Sequence, residues 1–343
     1  MKSLLLLDMM FSMQKNLTKI HQEIQKWYKV HGRVDLPWRT TDNTYHIYIS
    51  EVMLQQTQVQ TVLKRYYSPF LKKFPTLQAL SKASLDEVLK MWEGLGYYNR
   101  AKNLHMTANI LTDKAQAQNI SPSLPSEIDE LIQLPGIGKN TAHALAALAF
   151  KKPLPVMEAN VKRIISRLYK LKTPTDKTLW KTAYDIVDKS NPFYYNQAMM
   201  DIGAMLCTPK NPQCEICPLN SICQGKVNPT LYPTKKKRTV AARKQNIMLY
   251  LYKDKLSLTR RTDKFLHGLW GFKEIGVPLS ASKYIGEITH TYTHFKLHCK
   301  VYLYHERTAA QKHYFTTQEI EKLAISKVDE KIVKLYLDTI INI

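Results

Sequence analysis

The sequence predicts a mainly α N-terminal domain followed by a smaller α+β domain, and three observations carry that prediction. Apolar residues recur at helical spacing from about Leu17 to Leu206. Residues 224–244 break the pattern with Gly225, Pro229, Pro233 and the run Lys235-Lys236-Lys237-Arg238, the composition of a basic linker. Beyond the linker, β-forming residues alternate or cluster before a last helical stretch. At 343 residues and 44% hydrophobic content, the chain is long enough for two ordinary domains with packed cores.

Residues 1–16 hold a short apolar run, Leu4 to Leu7, that Asp8 interrupts and no small-residue cleavage site follows. They read as a disordered or frayed extension, with Met13 an alternative start. Helical spacing then marks Ile47–Leu63, Ala101–Leu111, Ala142–Phe150, Val161–Leu171 and Ala183–Val187. Ser84 and Ser126 stand before acidic residues, as N-caps do. In the second part, Asn246–Tyr252, Leu256–Arg260 and Lys296–Tyr304 read as strands, and Thr317–Ile341 carries helical patterns. The boundaries so drawn are 17–223, a linker at 224–244, and 245–343.

The formal charge is +22, with 28 basic and 18 acidic residues up to Cys223, and 22 basic and 10 acidic beyond it. Both parts are basic, which points to a polyanionic partner, most simply nucleic acid. No apolar run has the length of a membrane span. The reading is an intracellular, cytoplasmic and nucleoid-associated protein with no membrane partner, and a monomer.

Four of the five cysteines, Cys207, Cys214, Cys217 and Cys223, have the spacing C-x6-C-x2-C-x5-C. Such clustering in a reducing compartment suggests a metal centre. Zinc favours paired C-x2-C knuckles separated by a longer stretch, and only Cys214 and Cys217 form such a pair. One loop with uneven gaps suits a 4Fe-4S cube, and zinc is the alternative that the spacing leaves open. Cys299, without a partner, reads as a core residue.

Leu134-Pro135-Gly136-Ile137-Gly138-Lys139 lies between two helical patterns. Glycines at 136 and 138 permit positive φ and a tight reversal, and backbone N–H groups there can approach a phosphate at the start of the next helix. This is a helix-hairpin-helix reading, with an ordinary helix-helix turn as the alternative. Glu51 is a lone carboxylate in an otherwise uncharged stretch, Tyr48–Gln58; burial would keep it protonated as a general acid, whereas exposure would make it a solvated helix residue. Gln55 and Gln56 could reach base edges or face water. Glu158, at the start of a helix, could complement the helix dipole or stabilise a cation. Tyr97 and Tyr98 follow a glycine-rich turn and could wedge between bases or pack in a core.

In chain order, Leu36-Pro37-Trp38-Arg39, Ser50–Gln58, Gly94–Arg100, Leu134–Gly138 with Thr141-Ala142, Asn160–Arg163, Asn196-Gln197-Ala198-Met199-Met200-Asp201 and the four cysteines cover nearly all of Leu17–Cys223. With these pieces the chain resembles the adenine DNA glycosylases, relatives of endonuclease III. The resemblance implies a helix-hairpin-helix glycosylase domain over 17–223, with one 4Fe-4S loop at 207–223. Its active site would lie in a cleft between two helical parts. It implies a base-excision enzyme that hydrolyses the N-glycosidic bond of adenine mispaired with 8-oxoguanine or guanine in double-stranded DNA. Glu51 would protonate adenine N7 and later help activate water, with Glu158 and Asn160 completing the catalytic set. Trp38 and Arg39 would contact the adenine pocket, and Gln56 and Tyr98 would insert around the damaged guanine. Gly136 and Gly138 would anchor phosphate, and Leu54, Gln55, Lys139 and Asn140 fall among the DNA-contacting positions.

Two departures from the family pattern stand out. Glu158-Ala159-Asn160 replaces the usual Asp-Gly-Asn, which makes the cation-stabilising carboxylate one methylene longer. Asn140 occupies the position where endonuclease III-type enzymes carry a Schiff-base lysine. Lys139 is one residue early, so a monofunctional glycosylase is expected. Residues 245–343 resemble the family's Nudix-like domain: Phe265–Phe272 is similar to the start of its glycine motif, without the glutamates of a hydrolytic box. Tyr292-Thr293-His294 is similar to its 8-oxoguanine-reading loop, often aromatic-Ser-His. Two other readings share these residues: an endonuclease III-type glycosylase/lyase on oxidised pyrimidines, and a damage-binding protein weakened in catalysis by Glu158.

Overall fold

The computed structural model describes residues 2–234, 241–263, 265–308 and 313–341. The run Lys235-Lys236-Lys237-Arg238 of the expected linker lies outside the described residues. The chain forms two compact units that interleave in sequence. Unit 1 joins Met1–Gln78 to Met106–Lys236, and unit 2 joins Ala79–His105 to Lys237–Ile343.

The helices up to the cysteines are α1 (Lys2–His31), α2 (Thr44–Leu54), α3 (Val59–Arg65), α4 (Tyr67–Lys73), α5 (Leu77–Lys82), α6 (Leu85–Met91), α7 (Asn99–Ala117), α8 (Ile128–Ile132), α9 (Lys139–Leu148), α10 (Ala159–Leu168), α11 (Asp176–Ile186) and α12 (Pro192–Asp201). A π-helical turn, Ile202–Leu206, leads to the first cysteine. Helical backbone reaches Lys2, where a frayed extension was expected; no Gly or Pro interrupts residues 2–31. The stretch expected as one helix from Ile47 to Leu63 is two, because the polar run Gln55–Gln58 leaves the helix and Gln56 takes a left-handed φ of 57°. Ser84 caps α6 in a reciprocal box with Glu87. Ser126 does not cap α8; its hydroxyl bonds the Glu127 carboxylate instead, and Glu127 holds the cap position.

The core of unit 1 gathers one face from each of several helices. Ile24 and Tyr28 of α1 pack with Ala144 and Leu148 of α9, Val161, Ile164 and Ile165 of α10, and Ala198 and Met199 of α12. α2 is buried nearly all round, with Asn43 accepting from the N–H groups of Tyr45 and His46 at its start. Asn196 is buried on α12 and fully engaged: it accepts from Val156 N–H at 2.8 Å and donates to the carbonyls of Leu154 and Pro192. It thereby fixes the segment that leads into Glu158.

Beyond residue 240, the described residues of unit 2 form a mixed sheet with two helices. Its strands are β1 (Ala241–Tyr252), β2 (Lys255–Arg260), β3 (Trp270–Gly271), β4 (Lys273–Ile275), β5 (Lys283–Thr291), β6 (Phe295–His305) and β7 (His313–Phe315); α13 (Thr317–Ile320) and α14 (Lys327–Ile341) follow. The order is β3-β2-β1-β6-β5, with β4 paired to β1 and β7 to β2. β1 and β6 run parallel from Ala241↔Phe295 to Leu251↔His305, and β5 and β6 form an antiparallel pair. Ile247, Leu249, Val301 and Leu303 pack with Val328, Ile332 and Tyr336 of α14. Asp329 is fully buried and satisfied, accepting from both Arg261 guanidinium nitrogens, Phe272 N–H and the Ser326 hydroxyl.

The segment 79–105 belongs to unit 2 through specific bonds. Lys90 Nζ donates to the Leu323 carbonyl at 3.1 Å, the Tyr98 hydroxyl to the Ile325 carbonyl at 3.3 Å, and Ile325 N–H to Glu93 at 3.3 Å. Arg260 pairs with Asp86. The single expected break at 224–244 had no place for this pairing, which joins residues more than two hundred positions apart. No described helix is long and apolar enough to cross a membrane.

Candidate active site

Unit 1 encloses a cavity of about 380 Å³ lined by Glu51 and Leu54 of α2, Arg33, Trp38 and Arg39 of the loop after α1, Glu158 and Asn160 at the start of α10, and Gln197 of α12. Glu158 occupies the N-cap position of α10 with extended backbone, but its side chain makes no cap bond. The structure thus brings together Trp38, Arg39, Glu51, Leu54, Glu158 and Asn160, all expected from the sequence.

Burial dominates the electrostatics of the two carboxyls. It pushes Glu51 up to about 8, with a further push from Glu158 and partial opposition from Arg39. Burial also raises Glu158, against the pull of Arg39 and Arg33. Two carboxyls in one cavity titrate as a pair. A proton held on Glu51 relieves its repulsion with Glu158, and the nearby guanidiniums favour charge on the latter.

Those guanidiniums are anchored by Asp201, which is fully buried. Arg39 reaches it with both terminal nitrogens, at 2.7 and 2.9 Å. Arg33 binds it through its backbone N–H and its side chain, at 2.8 Å each. Burial alone would raise the Asp201 carboxyl, but these two arginines outweigh it and hold it below the usual range. Asn160 accepts from Arg163 at 2.9 Å, and Arg163 donates to the carbonyls of Gly203 and Cys207, so the cavity wall is tied to the cysteine loop.

Three of these residues carried no role in the sequence reading. Arg33, Gln197 and Asp201 gave one signal: polar side chains within or beside otherwise apolar stretches. Gln197 is 2% exposed and its Oε1 has no hydrogen-bond partner. A buried acceptor without a donor costs about 1–3 kcal/mol, so this carboxamide is poised for something that enters the cavity.

Other expected positions lie elsewhere. Gln55 donates to the Thr141 hydroxyl at 3.2 Å, which ties the end of α2 to α9. Gln56 is exposed on its left-handed turn. In the hairpin only Gly136 uses positive φ (75°); Gly138 is extended at −85°, caps α9, and leaves open space where a Cβ would stand. The close approach of a backbone, and not a reversal, is what Gly138 permits. Lys139 and Asn140 are exposed. Neither lines the cavity, and Lys139 Nζ sits 4.3 Å from the Trp180 ring centroid.

Tyr98 corrects an expectation. It is 7% exposed, with its hydroxyl bonded to the Ile325 carbonyl and accepting from Gly94 N–H. The left-handed φ of 50° at Tyr97 turns that neighbour outward instead, to 39% exposure, and its hydroxyl bonds Thr293. Tyr292 packs against Phe265, His290 and Phe295, and Thr293 and His294 are exposed at the turn between β5 and β6.

Cys207, Cys214, Cys217 and Cys223 all line one pocket, walled by Ile164, Leu168 and Leu206. Arg167 approaches Cys207 Sγ at 3.2 Å. Among the described residues no three His, Cys, Asp or Glu side chains close on a point that could hold a single ion. Zinc would draw the sulfurs to about 2.3 Å from one centre. A four-iron cube takes one thiolate at each corner and suits a wider ring of donors with a cation beside it. Cys299 is buried in the sheet core as expected.

Comparison with known proteins agrees with this geometry. Residues 49–189 match the family described as HhH-GPD superfamily base excision DNA repair protein, and residues 207–223 match the iron-sulfur binding domain of endonuclease III. The adenine DNA glycosylase of Buchnera aphidicola subsp. Baizongia pistaciae is 39% identical over 257 residues, covering 73% of this chain and 71% of the relative. That of Buchnera aphidicola subsp. Schizaphis graminum is 34% identical over 300 residues, 81% of this chain and 85% of the relative. The human adenine DNA glycosylase is 38% identical over 224 residues, 61% of this chain and 40% of the human protein. The structure of a thermostable thymine-DNA glycosylase superposes with a TM-score of 0.56 at 28% identity, covering 63% of this chain and 99% of that one. The chain belongs to the adenine DNA glycosylases, DNA N-glycosylases of base excision repair that carry a 4Fe-4S cluster.

Proposed function

We infer that the cavity of unit 1 receives an adenine turned out of duplex DNA and hydrolyses its N-glycosidic bond with Glu51 and Glu158 in separate roles. The observation that carries this reading is that both carboxyls open onto one cavity with Glu51 raised to about 8. At neutral pH Glu51 holds a proton and donates it to adenine N7, which makes the base a neutral leaving group. As the C–N bond breaks, the sugar gains oxocarbenium character, and the Glu158 carboxylate lies opposite that charge. Glu51, now ionised, accepts a proton from the water that adds to the sugar. Arg39 and Arg33, fixed by Asp201, favour the anion at Glu158, and Trp38 and Leu54 supply apolar wall against the base.

The substrate in this reading is adenine paired with 8-oxoguanine or guanine, acted on by a monomer. The turn Tyr292-Thr293-His294 in the Nudix-like domain would inspect the opposite base, with the exposed Thr293 hydroxyl and its bonded partner Tyr97 forming one reading surface. Gly136, Gly138 and the start of α9 would hold backbone phosphate. The four cysteines would hold the cluster, which gives the loop its shape when bound. With Lys139 over Trp180, no amine among the described residues lines the cavity to form a Schiff base, and water is the nucleophile in this reading. The test is single-turnover release of adenine from a duplex with adenine opposite 8-oxoguanine. Glu51→Gln should slow it by about 10²–10⁴-fold; an unchanged rate would overturn the assignment.

A further inference from the structure

We propose that the open face of the unit 2 sheet is a platform for a single strand of nucleic acid, separate from the cavity that releases the base. Side chains alternate along a strand, so the two faces of this sheet differ. Ile247, Val301 and Leu303 point toward α14 and build the core. The residues between them point the other way. The register sets Lys244 of β1 beside His298 of β6, and Glu287 and Tyr284 of β5 beside Lys300 and Tyr302 of β6.

The end of this face that carries the lysines is exposed, whereas Met248, beside Tyr302 in the register, is buried. Lys244, Lys296 and Lys300 are exposed, and His298 is half-buried between them. The acid in this patch is Glu287, 3.8 Å from Lys300 with both side chains more than half exposed, an ion pair of little strength in water. Toward the other end of the same strands lie Tyr302 and Tyr284, ring centroids 5.5 Å apart at 61°, with Tyr284 49% exposed.

Ammonium groups next to accessible aromatic rings on a sheet match a strand with phosphates outside and bases free to stack. A duplex keeps its bases stacked on one another, which leaves the rings without a partner. An acidic peptide would satisfy the lysines and leave the rings equally idle. From Lys296 to Tyr302 the strand rises about 20 Å, the reach of the few nucleotides that sheet-based single-strand modules hold.

The test uses the full chain with its cluster. Binding of a short fluorescent oligothymidylate is followed by anisotropy against salt, beside single-turnover adenine release from duplex. Replacing Lys244, Lys296 and Lys300 together by Gln should weaken oligothymidylate binding about tenfold and make its log–log salt slope shallower by about two, while adenine release is unchanged. Tyr284→Ser should weaken binding several-fold with no change in slope, and Tyr284→Trp should restore it. A 5-iodouracil oligonucleotide should photocrosslink to β5 or β6. The proposal is overturned if affinity and slope are untouched by the lysine replacements, or if crosslinks fall only in unit 1. It is equally overturned if duplex binding falls as much as single-strand binding, or if polyglutamate competes as well as the oligonucleotide.

Discussion

Arg39 grips Asp201 through both guanidinium nitrogens, at 2.7 and 2.9 Å, and the Arg39 side chain is 5% exposed while Asp201 has no exposure at all. The pair therefore sits on the unforgiving side of ion-pair energetics, where losing one partner strands the other charge. Asp201→Asn should cost about 3–5 kcal/mol, read as a lower urea midpoint at unchanged slope. It should also release Arg39 to act on Glu51 and lower that carboxyl, so the alkaline edge of the rate profile moves to lower pH. A stability loss under about 1 kcal/mol would show that the pair is not buried as described.

Excision should fall as pH rises through about 8, because the acid form of Glu51 is the one that donates and burial places its midpoint there. The same shift has a sign in stability. The folded protein keeps a proton that the unfolded chain releases above the ordinary 4.5, so this group's contribution is fully present below 4.5 and is lost as pH climbs toward 8. Glu51→Gln should remove both dependences. Rate and stability profiles that stay parallel for wild type and variant between these limits would refute the placement.

Glu158 reaches the cavity with one methylene more than the family's usual aspartate. Glu158→Ala should slow single-turnover excision by about 10²–10³-fold, the scale of one lost electrostatic contact to a developing charge. Glu158→Asp should raise the rate above wild type, by about tenfold or more if the longer arm misplaces the carboxylate by an ångström. A slower Asp variant would show that this backbone is built around the longer side chain.

Borohydride should trap little protein–DNA adduct from the wild type, and Lys139→Ala should trap the same amount. The amine is held over the Trp180 ring and does not line the cavity. Efficient trapping that disappears in Lys139→Ala would make this a lyase.

What was legible in the sequence follows from how local the signals are. The cysteine loop, the hairpin at Gly136 and the cap at Ser84 are short-range patterns, and the structure has them where the spacing put them. Glu51 and Glu158 could be picked out as lone carboxylates, but their shared cavity depends on α2 meeting the start of α10, which no window of sequence contains. Arg33 and Asp201 are 168 positions apart and meet only through the fold. Tyr98 looked like an exposed wedge because the glycines before it suggest openness. The deciding feature was the backbone turn at Tyr97, a conformation that sequence seldom announces. β5 was missed because it is an edge strand whose core-packed Ile285 and Ile288 are put out of step by the irregularity at Gly286, so no regular apolar alternation shows.

The interleaving of the two units bears on how the chain is made. Helix α6 and the loop to Arg100 emerge from the ribosome more than two hundred residues before the carbonyls of Leu323 and Ile325 that receive Lys90 and Tyr98. At bacterial-to-eukaryotic elongation speeds the wait is on the order of ten seconds or more. Once residues up to Ala204 are out, a nascent chain that could complete its catalytic cavity still displays an unfinished apolar segment. Quality-control machinery would meet this protein as a half-closed intermediate, and the arrival of Leu323 and Ile325, between α13 and α14, would end that exposure.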